Sequence, residues 1–105
     1  MPKPPKVEFS PTALFDLEDI ADYIAQDNPI AAEQWVDKLV EAAEKVASHP
    51  RSGRAVPEVG DPKIREVLVG AYRVIYRLEE KRLLVLTVIE GHRRLRGVPG
   101  GQDGP

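Results

Sequence analysis

No cysteine occurs in this chain, which excludes disulfide staples and thiolate metal sites and leaves nothing that argues for secretion. His49 and His92 are the only histidines, and no Asp/Glu pattern of ligand type accompanies them, so an intrinsic metal is not expected. Long hydrophobic runs are missing too: no apolar stretch approaches the roughly 18 residues that a bilayer span requires. The opening Met1–Lys6 is too short and too rich in proline for a signal sequence, so the cytoplasm is the expected compartment. There is no phosphate-cradling glycine loop, which argues against a nucleotide enzyme, and no cofactor is implied. Nor is there an excess of one charge. The net charge is −2 and the pI about 5.7, whereas nonspecific nucleic-acid binders are usually basic throughout, with pI above about 9.

That balance hides a dipole. Residues 1–50 carry 4 Lys/Arg against 10 Asp/Glu, a balance of −6, while residues 51–105 carry 11 against 7, a balance of +4. The cations gather at His92, Arg93, Arg94 and Arg96, so an anionic partner would be met by a local patch. At 105 residues the chain reads as one domain, expected over residues 1–96. Residues 97–105, with four glycines and two prolines in nine positions, are expected to be a flexible tail.

Val7–Phe9 is a short strand candidate, cut off by Ser10-Pro11. That pair is also a helix start, since the Ser10 hydroxyl can cap the first turn and Pro11 sits where its missing N–H costs nothing. Ala13, Leu14, Leu17, Ile20, Ala21 and Ile24 then recur at helical spacing to about Gln26, with Asp16, Glu18, Asp19 and Asp22 read as a solvated face. Asn28-Pro29 repeats the start signal, and Ala32, Trp35, Val36, Leu39, Ala43 and Val46 form a second stripe, stopped by His49-Pro50. So short a connection predicts an antiparallel helical hairpin.

Pro50–Pro62 has no periodicity and reads as a loop carrying Arg51 and Arg54. Ile64–Val69, Tyr72–Leu78 and Leu83–Glu90 read as strands joined by tight turns, the first at Gly70-Ala71 and the second over Glu79–Arg82. The expected fold is therefore α+β: an N-terminal strand, a helical hairpin and a three-stranded antiparallel meander. Alternation places Tyr72, Val74, Tyr76 and Leu78 on one face and Arg73, Ile75 and Arg77 on the other. Leu83–Ile89 is apolar on both faces except at Thr87, so it should be covered on both sides or lie centrally. With the hairpin on one face, the other is expected to stay partly open, as a small sheet with a partner would.

In this order the segments resemble a known family. Phe9-Ser10-Pro11, Asp16-Leu17-Glu18-Asp19-Ile20, Tyr23-Ile24-Ala25 and Asn28-Pro29 look like the helical hairpin of the ParE/RelE toxin superfamily. His49-Pro50-Arg51-Ser52-Gly53-Arg54, Arg65-Glu66-Val67, Tyr72 through Arg77 and Val88 through Arg94 look like its later parts, so the match covers roughly residues 6–95. The resemblance implies a toxin of a type II toxin–antitoxin pair, neutralised by a ParD-like or similar antitoxin. One branch poisons DNA gyrase; the other cuts messenger RNA in the ribosome.

Cutting RNA needs a base, cations on the phosphorane and an acid. Here His92 is the candidate acid, Arg65 with Arg73 or Arg77 the phosphate clamp, and Glu66 or Glu90 the base. Against this stand the lack of a dense lysine cluster and of a C-terminal helix with a late tyrosine, so the gyrase-directed branch is favoured and no catalytic residue with it. Its partner-binding surface is then expected at Trp35, Arg73, Ile75, Arg77, His92, Arg93 and Arg94, with Trp35 a core or interface anchor. The simpler alternatives are that Arg73 and Arg77 lay their stems over Ile75 with heads in water, that His92 is an exposed strand-end residue, that Tyr72 and Tyr76 pack in the core, and that Arg54 docks on a carboxylate.

Overall fold

The computed structural model describes residues 4–92 and Leu95, and every structural statement below concerns these. β1 (Lys6–Phe9) leads through Ser10 into α1 (Pro11–Ala25), and α2 (Pro29–Ser48) follows. Both expected caps form. The Ser10 Oγ accepts from the Ala13 N–H at 3.0 Å, and its hydroxyl donates to the Leu86 carbonyl at 2.8 Å, so one buried side chain starts α1 and fastens it to the sheet. The Asn28 Oδ1 accepts from the Ile30 and Ala31 N–H groups at 3.1 Å each.

A single 3₁₀ turn at Pro50–Ser52 precedes β2 (Arg54–Ala55), and then come β3 (Ile64–Val69), β4 (Tyr72–Leu78) and β5 (Arg82–Glu90). The strand order is β1-β5-β4-β3-β2. The meander is antiparallel, as alternation and turn chemistry predict, while β1 runs parallel to β5 with Lys6 opposite Arg82 and Phe9 opposite Val85. Two features lay outside the sequence reading. The loop contributes β2, whose Arg54 and Ala55 pair with Glu66 and Arg65. The β4–β5 register also shifts after Ile75, which faces Thr87 while Tyr76 faces Val85, leaving Leu86 as an extra residue.

Gly70 has φ +59° and Ala71 does not share that region, as a two-residue turn with glycine first requires. A Cβ on Gly70 would also lie 2.5 Å from Cη2 of Trp35, so the turn is both left-handed and covered by α2. Trp35 meets Tyr72 edge to face, with centroids 5.5 Å apart, and Lys38 Nζ lies 4.9 Å from the indole centroid.

The helices cover one face of the sheet. Leu39, Ala43 and Val46 of α2 and Ala13 and Leu17 of α1 pack with Val74, Tyr76, Leu83, Val85 and Val88. Thr87, the one polar residue between Arg82 and Glu90 in β5, donates its hydroxyl to the Asp16 carboxylate, and the Val88 N–H donates to the same Oδ2 at 3.0 Å. Asp16 is therefore a fastening between α1 and β5 and not part of a solvated face. Leu14, placed on the apolar stripe by spacing, is 52 % exposed.

The opposite face is closed as well, which corrects the expectation of a half-open sheet. Val56 and Val59 from the loop and Leu95 from beyond β5 fold over Ile64, Ile75, Leu84, Leu86 and Ile89 as a second apolar cluster. β5 is thus buried on both faces, as its unbroken apolar run requires.

Candidate functional site

The second face carries the most concentrated chemistry of the sheet. Arg73 on β4 is only 4 % exposed, and Glu66, its neighbour on β3, is completely buried. A buried charge without a partner is strongly unfavourable, and here each has one. The Arg73 Nε donates to Glu66 Oε1 at 2.7 Å, while its two terminal nitrogens donate to the two oxygens of Glu58 at 2.9 Å each. Arg54 on β2 completes the set, donating its Nε to the second oxygen of Glu66 at 2.7 Å. The four charges sum to zero.

Glu58 also accepts the Leu95 N–H at 3.0 Å, so one carboxylate ties together the loop, β4 and the segment after β5. These hydrogen bonds, Arg73 first and the Leu95 N–H second, hold the Glu58 carboxyl down from 4.5 to about 2. The same pair raises the Arg73 guanidinium further above its ordinary value, chiefly through Glu58. A cleft of about 340 Å³ lies over the network, lined by Arg54, Pro57, Glu58, Glu66, Arg73, Gly91 and His92.

The remaining candidate residues fall in different places. Ile75 is fully buried in the second cluster, so neither it nor Arg73 is a surface position, and Arg73 does not lay its stem on Ile75 with its head in water. Arg77 is half-buried and donates to Glu79 at 3.0 Å. Glu79 also accepts from Arg82, and these bonds, Arg82 first, hold its carboxyl below the ordinary range. Arg65 faces the helix side, where one terminal nitrogen donates to the Gly53 carbonyl at 3.0 Å and the Nε is buried without a partner among the described residues.

His92 is exposed at the mouth of the cleft, its Nε2 3.6 Å from Glu90 Oε2, an ion-pair separation and not a hydrogen bond. Arg93 and Arg94 lie outside the described residues, as does the expected tail over 97–105. Trp35 is half-buried and committed to Tyr72 and Gly70. Tyr76 is fully buried and Tyr72 half-buried, and burial raises both phenols above their ordinary value. Arg54 docks on a carboxylate, as one of its two readings proposed. Glu66, considered as a base, is the buried acceptor of two guanidinium groups. Glu58, the residue that closes the network, was not singled out in the sequence; nothing in Pro57-Glu58-Val59 marks a partner fifteen residues away.

The arrangement of the candidate nuclease residues matters chemically. A phosphate clamp needs guanidinium groups with donors to offer, and Arg73 and Arg77 already face carboxylates. Among the described residues no group of three or more His, Cys, Asp or Glu is placed to hold a metal ion, and no helix is long and apolar enough to cross a membrane.

No curated protein sequence matches the chain. Among solved structures, a chain of the chromosomal ParDE toxin–antitoxin system of P. aeruginosa superposes with a TM-score of 0.69 at 20 % identity, covering 83 % of this chain and 96 % of that one. A chain of the RelBE2 toxin–antitoxin complex of Mycobacterium tuberculosis superposes with a TM-score of 0.62 at 23 % identity, covering 84 % and 99 %. These likenesses establish a shared fold. The sequence itself matches the family described as the ParE toxin of the type II toxin–antitoxin system parDE over residues 7–95, from within β1 to Leu95, and the chain therefore belongs to that family.

Proposed function

We propose that this toxin acts by binding DNA gyrase, and that a cognate antitoxin holds it inactive in the cytoplasm until released. The observation that carries the choice of target is the closed ion network. Arg73 and Arg77, the two β4 arginines that a ribonuclease would turn toward a scissile phosphate, are engaged by Glu58, Glu66 and Glu79. Among the described residues the charges lining the cleft above Arg73 balance, two guanidinium groups against two carboxylates, with no cationic excess to hold a phosphorane. Membership of the ParE family supports the same target, and the two superposed toxin–antitoxin assemblies support the antitoxin as partner.

The test is a supercoiling assay with purified gyrase beside a translation-coupled messenger-RNA cleavage assay. Loss of supercoiling with accumulation of cleaved DNA complexes, and with His92→Ala retaining the effect, is the expected result. Unaffected gyrase, together with message cleavage that His92→Ala abolishes, overturns this reading in favour of a ribosome-dependent endonuclease.

A further inference from the structure

The second face of the sheet is closed by pieces that stand far apart in the chain. Val56 and Val59, in the loop between β2 and β3, and Leu95, beyond β5, lie over apolar side chains of the sheet, among them the fully buried Ile75 and Leu86. The Val59 N–H bonds within the loop itself, to the Val56 carbonyl at 3.0 Å. Glu58, between the two valines, is the joint. Its oxygens accept from the terminal nitrogens of Arg73 at 2.9 Å each, and Oε2 also accepts the Leu95 N–H at 3.0 Å. One carboxylate thus serves both parts of the cover, although thirty-seven residues separate Glu58 from Leu95.

Arg73 is divided between the cover and the sheet. Its Nε donates at 2.7 Å to Glu66, a completely buried residue of β3 whose other oxygen takes Arg54. When Glu58 withdraws, Arg73 therefore keeps a carboxylate, and the Glu58 side chain, 14 % exposed in the closed form, passes to water. Opening along this line leaves no buried ion alone, the event that costs most when a charge network breaks. What it gives up is a set of charge-assisted bonds, largely replaced by bonds to water, and the burial of three apolar side chains. The helix face keeps its packing, because Leu39, Ala43 and Val46 belong to the other cluster.

We infer that the loop around Glu58 and residue Leu95 form one lid over the second face, which opens as a unit while both helices and the sheet stay folded, with Glu58 as its clasp. Closed, the lid hides the apolar floor of β3, β4 and β5; open, it bares that floor in one piece. Sub-global opening of this kind is drawn from regions with few apolar contacts, and the cover is the thinner of the two layers on the sheet. A partner that uses the floor meets it only in the fraction of molecules whose lid is open, and its binding is weakened by that fraction. The lid works in the same way whatever the toxin's target.

Amide hydrogen exchange on the full chain, under conditions where closing outruns exchange, tests this. The Val59 and Leu95 amides are expected to share one opening free energy and one shallow dependence on urea, while Leu39 and Ala43 of α2 exchange by global unfolding, with a steep dependence. Glu58→Gln should speed exchange at Val59 and Leu95 together, by about ten- to a hundredfold. Leu39→Ala separates the two events. It should speed the α2 amides by about tenfold or more and leave Val59 and Leu95 unmoved, since its cavity is the same with the lid open or closed. Acceleration of Val59 and Leu95 by Leu39→Ala would reduce the lid to a part of global unfolding and overturn the inference. Different opening free energies at Val59 and Leu95, or a Leu95→Ala variant that speeds exchange at position 95 alone, would also overturn it, by making the cover two independent flaps. The urea series needs no variant, so a Glu58→Gln chain that fails to fold leaves the test intact.

Discussion

On the face of the sheet that meets α1 and α2, contact is made by hydrocarbon: Leu39, Val46, Val74, Leu83 and Val85 exclude water whatever their exact angles. On the opposite face a thinner apolar layer of Val56, Val59 and Leu95 is pinned by Glu58, Glu66, Arg73 and Arg54, whose bonds demand particular atoms at particular distances. One sheet is thus closed by two kinds of interaction. The first degrades gradually as side chains are trimmed, whereas the second fails when one partner is removed, because the charge left behind is buried.

The largest effect expected from breaking this contrast is that of Glu66→Ala. It deprives both Arg73 and Arg54 of a carboxylate, and a loss of about 3–5 kcal/mol in urea unfolding is expected. Replacing Glu66 by leucine and Arg73 by methionine together, with Glu58→Gln removing the carboxylate that Arg73 would leave behind and the exposed Arg54 turned to water, should recover most of that loss; a triple variant as unstable as the single one would refute a network that matters through its pairing. On the helix face, Leu39→Ala should cost roughly 2–5 kcal/mol by opening a cavity, with no change in how stability depends on pH.

Acid separates the faces next. Glu58 is held at about 2 against an ordinary 4.5, so the carboxylate stabilises the folded chain fully above about pH 4.5 and that stabilisation is lost as the pH falls toward 2. With solvent screening at the open side of the cleft, the linkage is at most about 3 kcal/mol. Thermal melts of Glu58→Gln should show a flattened acid limb, and an unchanged limb would mean that another carboxylate governs it. Smallest is Gly53→Ala. Its Cβ would fall 1.8 Å from the Tyr76 hydroxyl oxygen, and a cost of about 1–3 kcal/mol is expected, relieved in part when Tyr76→Phe removes that oxygen. Failure of the phenylalanine to raise the melting temperature would assign the clash to the ring carbon Cζ, 2.8 Å away, and to the Glu66 carbonyl at 3.0 Å.

What could be read from the sequence tracks how local each signal is. Both helices, their caps at Ser10 and Asn28, and the Gly70 turn are written within a few residues, and all are found where spacing predicts them. The second face was misread because Arg73, Ile75 and Arg77 alternate like a face left to water, and only partners far along the chain make it an interior. Glu58 stands fifteen residues before Arg73 in a loop without periodicity, and Glu66, seven before it, is brought beside it by the hairpin at Gly70-Ala71. Leu14 failed in the opposite sense: it has the spacing of a core residue yet lies at the lip of the groove between the helices, where small alanines leave it uncovered.

The parallel pairing of β1 with β5 has a consequence in time. Lys6–Phe9 leave the ribosome well ahead of their neighbour, Arg82–Val85, so this edge of the sheet stays without its mate until β5 has been made. Contacts this far apart in the chain form late and slowly. Ser10 is caught in the same delay, since the carbonyl that receives its hydroxyl belongs to Leu86. Any molecule that recognises the finished sheet can therefore meet it only after β5 has emerged, and the interval before that is when unpaired strands are open to proteases and to one another.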